Sequence, residues 1–216
     1  VQNFIVYQIA LVLLGLVAVV SNYFFHFFKE VSILQRLVTL GFLANTLVVI
    51  ALLVLAFAKK TNKRILRFII RILKEMRIIK NAEKTYKRWD ESLDRFHKGA
   101  RLLIDNKRLT LETIFLNIMG LCALYIIPLT VAYSMGYYHS FDGLLAIISS
   151  AYVMLIGAFV PIPGGTGGLE YSFIQFYGNF VTGSALSAMM LIWRFITYYF
   201  GMIVGAIALY VKGKKD

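Results

Sequence analysis

The sequence of 216 residues is poor in the groups that cover a soluble protein: 16% of its residues are charged and only 11 are acidic. With 59% hydrophobic residues and a mean hydropathy of +0.73, this scarcity excludes a soluble globular domain. Charge is missing altogether from residues 3–28, 37–58 and 113–141. Each run exceeds the roughly 20 helical residues needed to cross a hydrocarbon core. The single cysteine, Cys122, lies in the third run, so no intramolecular disulfide and no cysteine metal site can form. The first run is too long for a signal-peptide core and lacks a small-residue cleavage site, so it reads as a true span. His26, His97 and His139 are scattered over a span end, a basic segment and a loop, which gives no shared metal site. No Gly-Lys-Ser/Thr follows the glycine run described below, which excludes a P-loop, and no nucleophile, base and orienting group can be assembled from spacing. No cofactor is expected.

What charge there is sits in one place. Of 23 Lys and Arg residues, 17 fall within residues 59–108 against six acids, so this segment carries +11 of the net +12. By the positive-inside rule it is expected to be cytoplasmic. Because it is flanked by spans and interleaved with large apolar residues, its expected partner is an anionic lipid headgroup and not nucleic acid. Ile65, Ile69, Ile72, Met76 and Ile79 recur at helical spacing, as do Trp89, Leu93, Phe96, Ala100 and Leu103. Two basic amphipathic helices are predicted, with a break near residues 81–85. Their apolar stripes could pack on each other or lie on the membrane face.

Parity then sets the topology. With residues 59–108 inside, the short 29–36 and 136–142 loops are external, and the basic tail of Lys212, Lys214 and Lys215 is inside. Residues 143–183 must start and finish outside, yet they are interrupted by Val160-Pro161-Ile162-Pro163-Gly164-Gly165-Thr166-Gly167-Gly168. Two prolines without amide donors and four glycines stop a helix there. The expectation is a re-entrant helical hairpin broken at 161–168, with about 17 residues on each side. Irregular backbone at that depth is tolerated only where it is buried in protein or lines a wet cavity. The predicted organisation is all-α: residues 1–58 with two spans, 59–110 with the basic hairpin, and 111–216 with a span, the broken hairpin and a last span.

Among the 99 residues of 113–211 only Asp142, Glu170 and Arg194 are charged. Asp142 belongs to a loop. Arg194 is the eleventh residue of its predicted span, so at a rise of 1.5 Å per residue it lies roughly 15 Å from the span end, near mid-bilayer. A central arginine costs about 2.5–3.5 kcal/mol to insert, so it must face the interior with a partner. Glu170 follows the glycines in the first turns of a helix, where the dipole favours a carboxylate. Two readings stay open. In one, Glu170 and Arg194 form a buried ion pair that holds the hairpin to the last span. In the other, Arg194 and the amides of Gly164, Gly165, Thr166, Gly167 and Gly168, with Pro163, bind an anionic headgroup, while Glu170 steadies the arginine or receives an amine. Asn117, Gln175 and Asn179 are candidate polar residues of the cavity.

The stretch Pro161-Ile162-Pro163-Gly164-Gly165-Thr166-Gly167-Gly168-Leu169-Glu170, followed by Trp193-Arg194-Phe195, resembles the lysylphosphatidylglycerol synthase transmembrane family. This is the flippase-like membrane domain of the multiple peptide resistance factor and of shorter bacterial proteins. The basic linker, the span running to Met135-Gly136 and the Pro-Gly-Gly hairpin follow the family's order. Pro163, Gly164, Gly165, Gly167 and Glu170 match its motif and Arg194 its arginine. The resemblance implies a translocator in a bacterial cytoplasmic membrane that moves an anionic or aminoacylated phospholipid, such as lysyl-phosphatidylglycerol, to the outer leaflet, and so contributes to antimicrobial peptide resistance. In the resistance factor a separate soluble domain transfers lysine from its tRNA to the lipid. No such domain follows Asp216 here, and the family's early spans are not evident before Val1, so this chain is not expected to aminoacylate lipid by itself. The alternatives are the membrane part of a phosphatidylglycerol lysyltransferase, with its synthase in a separate domain or protein, and a non-catalytic scaffold. A homo-oligomer is compatible with each.

Overall fold

The computed structural model describes residues 2–28, 32–76, 79, 81–157, 160 and 163–213. Lys29, Pro161, Lys214 and Lys215, used in the topology and motif readings, lie outside the described residues, as do the side chains of Pro163 and Lys212. All regular elements among the described residues are helical: α1 (Gln2–Phe25), α2 (Ser32–Phe57), α3 (Lys59–Glu75), α4 (Ala82–Asp105), α5 (Lys107–Ser134), α6 (Gly143–Gly157), α7 (Gly168–Tyr177), α8 (Gly183–Arg194) and α9 (Phe200–Gly213). A short 3-10 turn, Pro163–Gly165, precedes α7, and a π turn, Phe195–Tyr199, joins α8 to α9. Four helical stretches, Asn3–Phe25, Leu34–Phe57, Lys107–Ser134 and Gly183–Tyr210, are long and apolar enough to cross a membrane. They coincide with the charge-free runs and the predicted last span, as expected of a multi-pass membrane protein.

The chain divides into two compact units, residues 1–10 with 46–117 and residues 11–45 with 118–216. In the first, α3 and α4 pack side by side. Helix α3 ends at Glu75 and α4 starts at Ala82, slightly earlier than the predicted restart, because Asn81 caps α4 by accepting the Lys84 amide at 3.1 Å. Leu66 and Ile70, 4% and 6% exposed, form the contact face of α3, whereas Ile65, Ile69, Ile72 and Met76 are between 38% and 63% exposed. The rotation is set by polar contacts. Asn62 Nδ2 donates to Leu55 O at 2.6 Å, His97 Nδ1 lies 2.9 Å from Ala56 O, and Lys63 pairs with Asp90 at 3.0 Å.

In the second unit α6 is the centre. Nine of its 15 residues are buried, from Ala146 to Ile156, which fits a helix apolar on all sides. Tyr177 of α7 donates to Ala146 O at 3.0 Å and lies 2.7 Å from Ser150 Oγ, which itself donates to Tyr125 O of α5 at 2.9 Å. Three helices are thus tied through two hydroxyls with no access to water, where an unmet polar group would cost most. Phe173 of α7 stacks on Trp193 of α8 with ring centroids 4.8 Å apart. Helix α7 therefore packs against both α6 and α8, and the glycine loop that leads into it lies next to the end of α8.

Candidate functional site

The loop preceding α7 exists because of its glycines. Gly164, Gly165 and Gly167 have φ of 77°, 63° and 89°, in the left-handed region that side chains resist. At Gly164 a methyl group would also sit 2.5 Å from the Tyr198 ring, so the close approach of loop and last span requires hydrogen there. At Gly168 a methyl would sit 2.1 Å from Val160 Cγ2, which fixes the return of the chain into α7.

Glu170 stands at the third position of α7. Its Oε2 accepts the Gly167 amide at 2.6 Å, which is half of a capping box, since glycine has no side chain to complete the other half. Its Oε1 accepts Arg194 Nε at 2.5 Å. Arg194 Nη2 donates to Gly164 O at 2.9 Å. One guanidinium therefore bridges a carboxylate and a loop carbonyl. The Arg194 side chain is 4% exposed and that of Glu170 23%, so the carboxylate is the edge of the pair that reaches the surface. The guanidinium carbon also lies 5.2 Å from the Tyr198 ring centroid and 5.7 Å from that of Trp193, within range of cation–π attraction.

Glu170, Arg194 and the glycines of the loop are thus brought together around one point. The other polar candidates make different contacts. Asn117 donates to Thr113 O of its own helix at 2.8 Å. Gln175 and Asn179, at the far end of α7, line a separate cavity together with residues of α1 and α2. Two features escaped the sequence reading. Tyr198 was not singled out, although its i+4 spacing from Arg194 was a usable signal. The π turn beginning at Phe195 had no signal in composition; such turns insert a residue into a helix and recur at functional sites.

Chemically, the arrangement offers a buried arginine held by an acid and a loop carbonyl, beside the N-terminus of α7, whose Gly167 amide is taken by the same acid. Among the described residues no group of three His, Cys, Asp or Glu side chains could hold a metal ion.

The family model described as the lysylphosphatidylglycerol synthase TM region matches residues 1–205. Among curated proteins, a UPF0104 membrane protein of Archaeoglobus fulgidus (strain ATCC 49558 / DSM 4304 / JCM 9628 / NBRC 100126 / VC-16) is 29% identical over 131 residues, 60% of this chain and 39% of that protein. The chain thus matches well under half of that relative's length. No solved structure matches.

Proposed function

The chain belongs to the lysylphosphatidylglycerol synthase TM region family, and from that premise we propose that it is a lipid translocator whose headgroup site is built on Arg194, Glu170 and the glycine loop. The observation that carries this reading is the meeting of the two deep charges of an otherwise uncharged region at a broken helix. Helices α6 and α7 have 15 and 10 residues, about 22 and 15 Å at 1.5 Å per residue, so each is shorter than a hydrocarbon core of about 30 Å. Together they make a re-entrant hairpin whose tip is the loop, a device that transporters use to present helix ends to polar cargo.

The step at the site is an exchange of anions. A lipid phosphate replaces the Glu170 carboxylate on the Arg194 fork, because phosphate accepts two parallel N–H bonds where the carboxylate accepts one. Glu170 keeps its bond to the Gly167 amide and faces the ammonium of an aminoacylated headgroup. In this reading the membrane is the bacterial cytoplasmic membrane. The α3–α4 pair and the C-terminus lie on its cytoplasmic side, with the basic faces of the pair toward anionic lipid.

The test is dithionite-accessible movement of fluorescent phosphatidylglycerol and lysyl-phosphatidylglycerol in liposomes containing the full-length protein. Faster movement of one lipid is expected, reduced about tenfold or more in both Arg194→Ala and Glu170→Gln, the size of one lost charged hydrogen bond. Folded variants that move lipid at the parent rate would overturn the site. A second reading, that the pair is only a clamp, is favoured by the full engagement of both Glu170 oxygens. It predicts that both substitutions lower thermal stability without changing lipid movement.

A further inference from the structure

The second unit contains a cavity of about 300 Å³ with polar and aromatic walls, which neither Glu170 nor Arg194 lines. It lies where the end of α1, the start of α2 and the end of α7 converge, and its size is at the lower end of small-molecule sites, about 300–1,000 Å³. We propose that it binds an uncharged, hydroxyl-rich group, a sugar or glycerol unit.

Three observations lead there. The first is the lining. Asn22 of α1, His26 in the turn after it, Gln35 of α2, Gln175 of α7 and Asn179 just beyond α7 supply hydrogen-bonding groups, and no Asp, Glu, Lys or Arg is among the lining residues that the structure describes. Among these described residues a charged ligand would find no fixed counter-ion, whereas a neutral polar ligand needs none.

The second is the state of these groups. The Gln35 and Gln175 carboxamides make no side-chain hydrogen bond among the described residues. Asn179 Nδ2 is used on Gln175 O and Phe176 O, at 3.0 Å each, and its Oδ1 accepts no hydrogen bond from the described residues. Carboxamides offer donors and acceptors side by side, and hydroxyl groups answer both.

The third is the wall. Phe28, Tyr152 and Phe176 pack mutually, with ring centroids 5.1–5.5 Å apart, and present an apolar surface on one side of the cavity. Phe28 is brought there by the turn after α1, where His26 adopts φ of 50° and the Phe28 amide donates to Asn22 Oδ1 at 3.1 Å. A lining that combines polar groups with aromatic rings suits a sugar ring, which offers both hydroxyl groups and an apolar C–H face. The ligand can be a lipid headgroup or a free sugar, since both present this chemistry.

The experiment uses the full-length protein in phosphatidylcholine nanodiscs, labelled selectively at histidine, with the His26 signal assigned from His26→Gln. Monoglucosyl diacylglycerol, free glucose and phosphatidic acid are titrated separately. A saturable shift of the His26 signal with the glucolipid alone identifies a lipid headgroup, and one with both the glucolipid and glucose identifies a free sugar; either supports the site. In a Gln35→Leu, Gln175→Leu double variant the apparent affinity falls about tenfold or more, as expected for two lost hydrogen bonds. A shift of equal size with phosphatidic acid, or none with either sugar probe, in the parent protein overturns the proposal without reference to any variant. A shift that survives the double variant unchanged overturns the assignment of the carboxamides. Glu170 and Arg194 take no part, so failure here leaves the translocator reading standing, and the reverse.

Discussion

Arg194 is buried with two acceptors on two different elements, Glu170 of α7 and the carbonyl of Gly164 in the loop. A lysine has one ammonium and cannot span both from the same position, so Arg194→Lys should behave as a partial loss, whereas Arg194→Ala leaves a carboxylate facing a dry gap. Breaking one side of a buried pair costs about 3–5 kcal/mol. The expected order of thermal unfolding midpoints in detergent is parent, then Arg194→Lys, then Arg194→Ala; equal midpoints would mean that the pair holds nothing. Gly164 is under a different constraint. Gly164→Ala puts a side chain on left-handed backbone, about 1–2 kcal/mol, and drives a methyl into the Tyr198 ring. Its midpoint should fall, and Tyr198→Ala in the same chain should restore part of the loss by removing the collision. At this scale the sequence was informative about Glu170 and Arg194, because two isolated charges among uncharged residues need partners. It was silent on Gly164 as an acceptor, since a backbone carbonyl carries no residue identity.

The α3–α4 pair shows how far periodicity reaches at the scale of an element. Spacing identified the apolar side of α3 but not which edge of it would be covered. Leu66 and Ile70 are buried, and Ile65, Ile69, Ile72 and Met76 stay open, because Asn62 ties the start of α3 back to Leu55 while Lys63 and His97 fix the rotation through partners 27 and 41 residues away. Charge adds a pH dependence. The hydrogen bond from Lys59 holds the Asp94 carboxyl below its ordinary value of 3.8, and the bond to Asp90 holds the Lys63 ammonium above its ordinary 10.5. The Asp94 contribution is complete above the unfolded value and is lost as pH falls through the lower folded one. The Lys63 contribution is complete below its unfolded value and is lost as pH rises through the higher folded one. Packing of the two helices should therefore hold across the neutral range and loosen at both extremes. Trp89 of α4, already 41% exposed, reports it: its access to a soluble quencher should rise below the aspartate range in the parent and be independent of acid in Asp94→Asn. Trp193, 5% exposed, contributes little to that signal.

For the whole molecule the open question is sidedness. The lone Cys122 makes it accessible to labelling: in a Cys122→Ala background, Thr61→Cys and Tyr138→Cys should react with an impermeant thiol reagent from opposite sides of the membrane, because α5 lies between them as one crossing. Reaction from the same side would cancel the parity argument and the re-entrant path with it. Long hydrophobic runs and the placement of charge were enough to specify an all-helical membrane chain with four candidate spans, since the cost of unpaired backbone in hydrocarbon depends on composition and length alone. The glycine break was legible for the same local reason, as left-handed backbone demands glycine. Tertiary structure alone decided that α7 packs against both α6 and α8, that the Ser150 and Tyr177 hydroxyls bind three helices together, and that Gln175 and Asn179 line a cavity that Glu170 does not. These are contacts between residues far apart in sequence, whose energies depend on distance and burial, and neither quantity is written in the order of the residues.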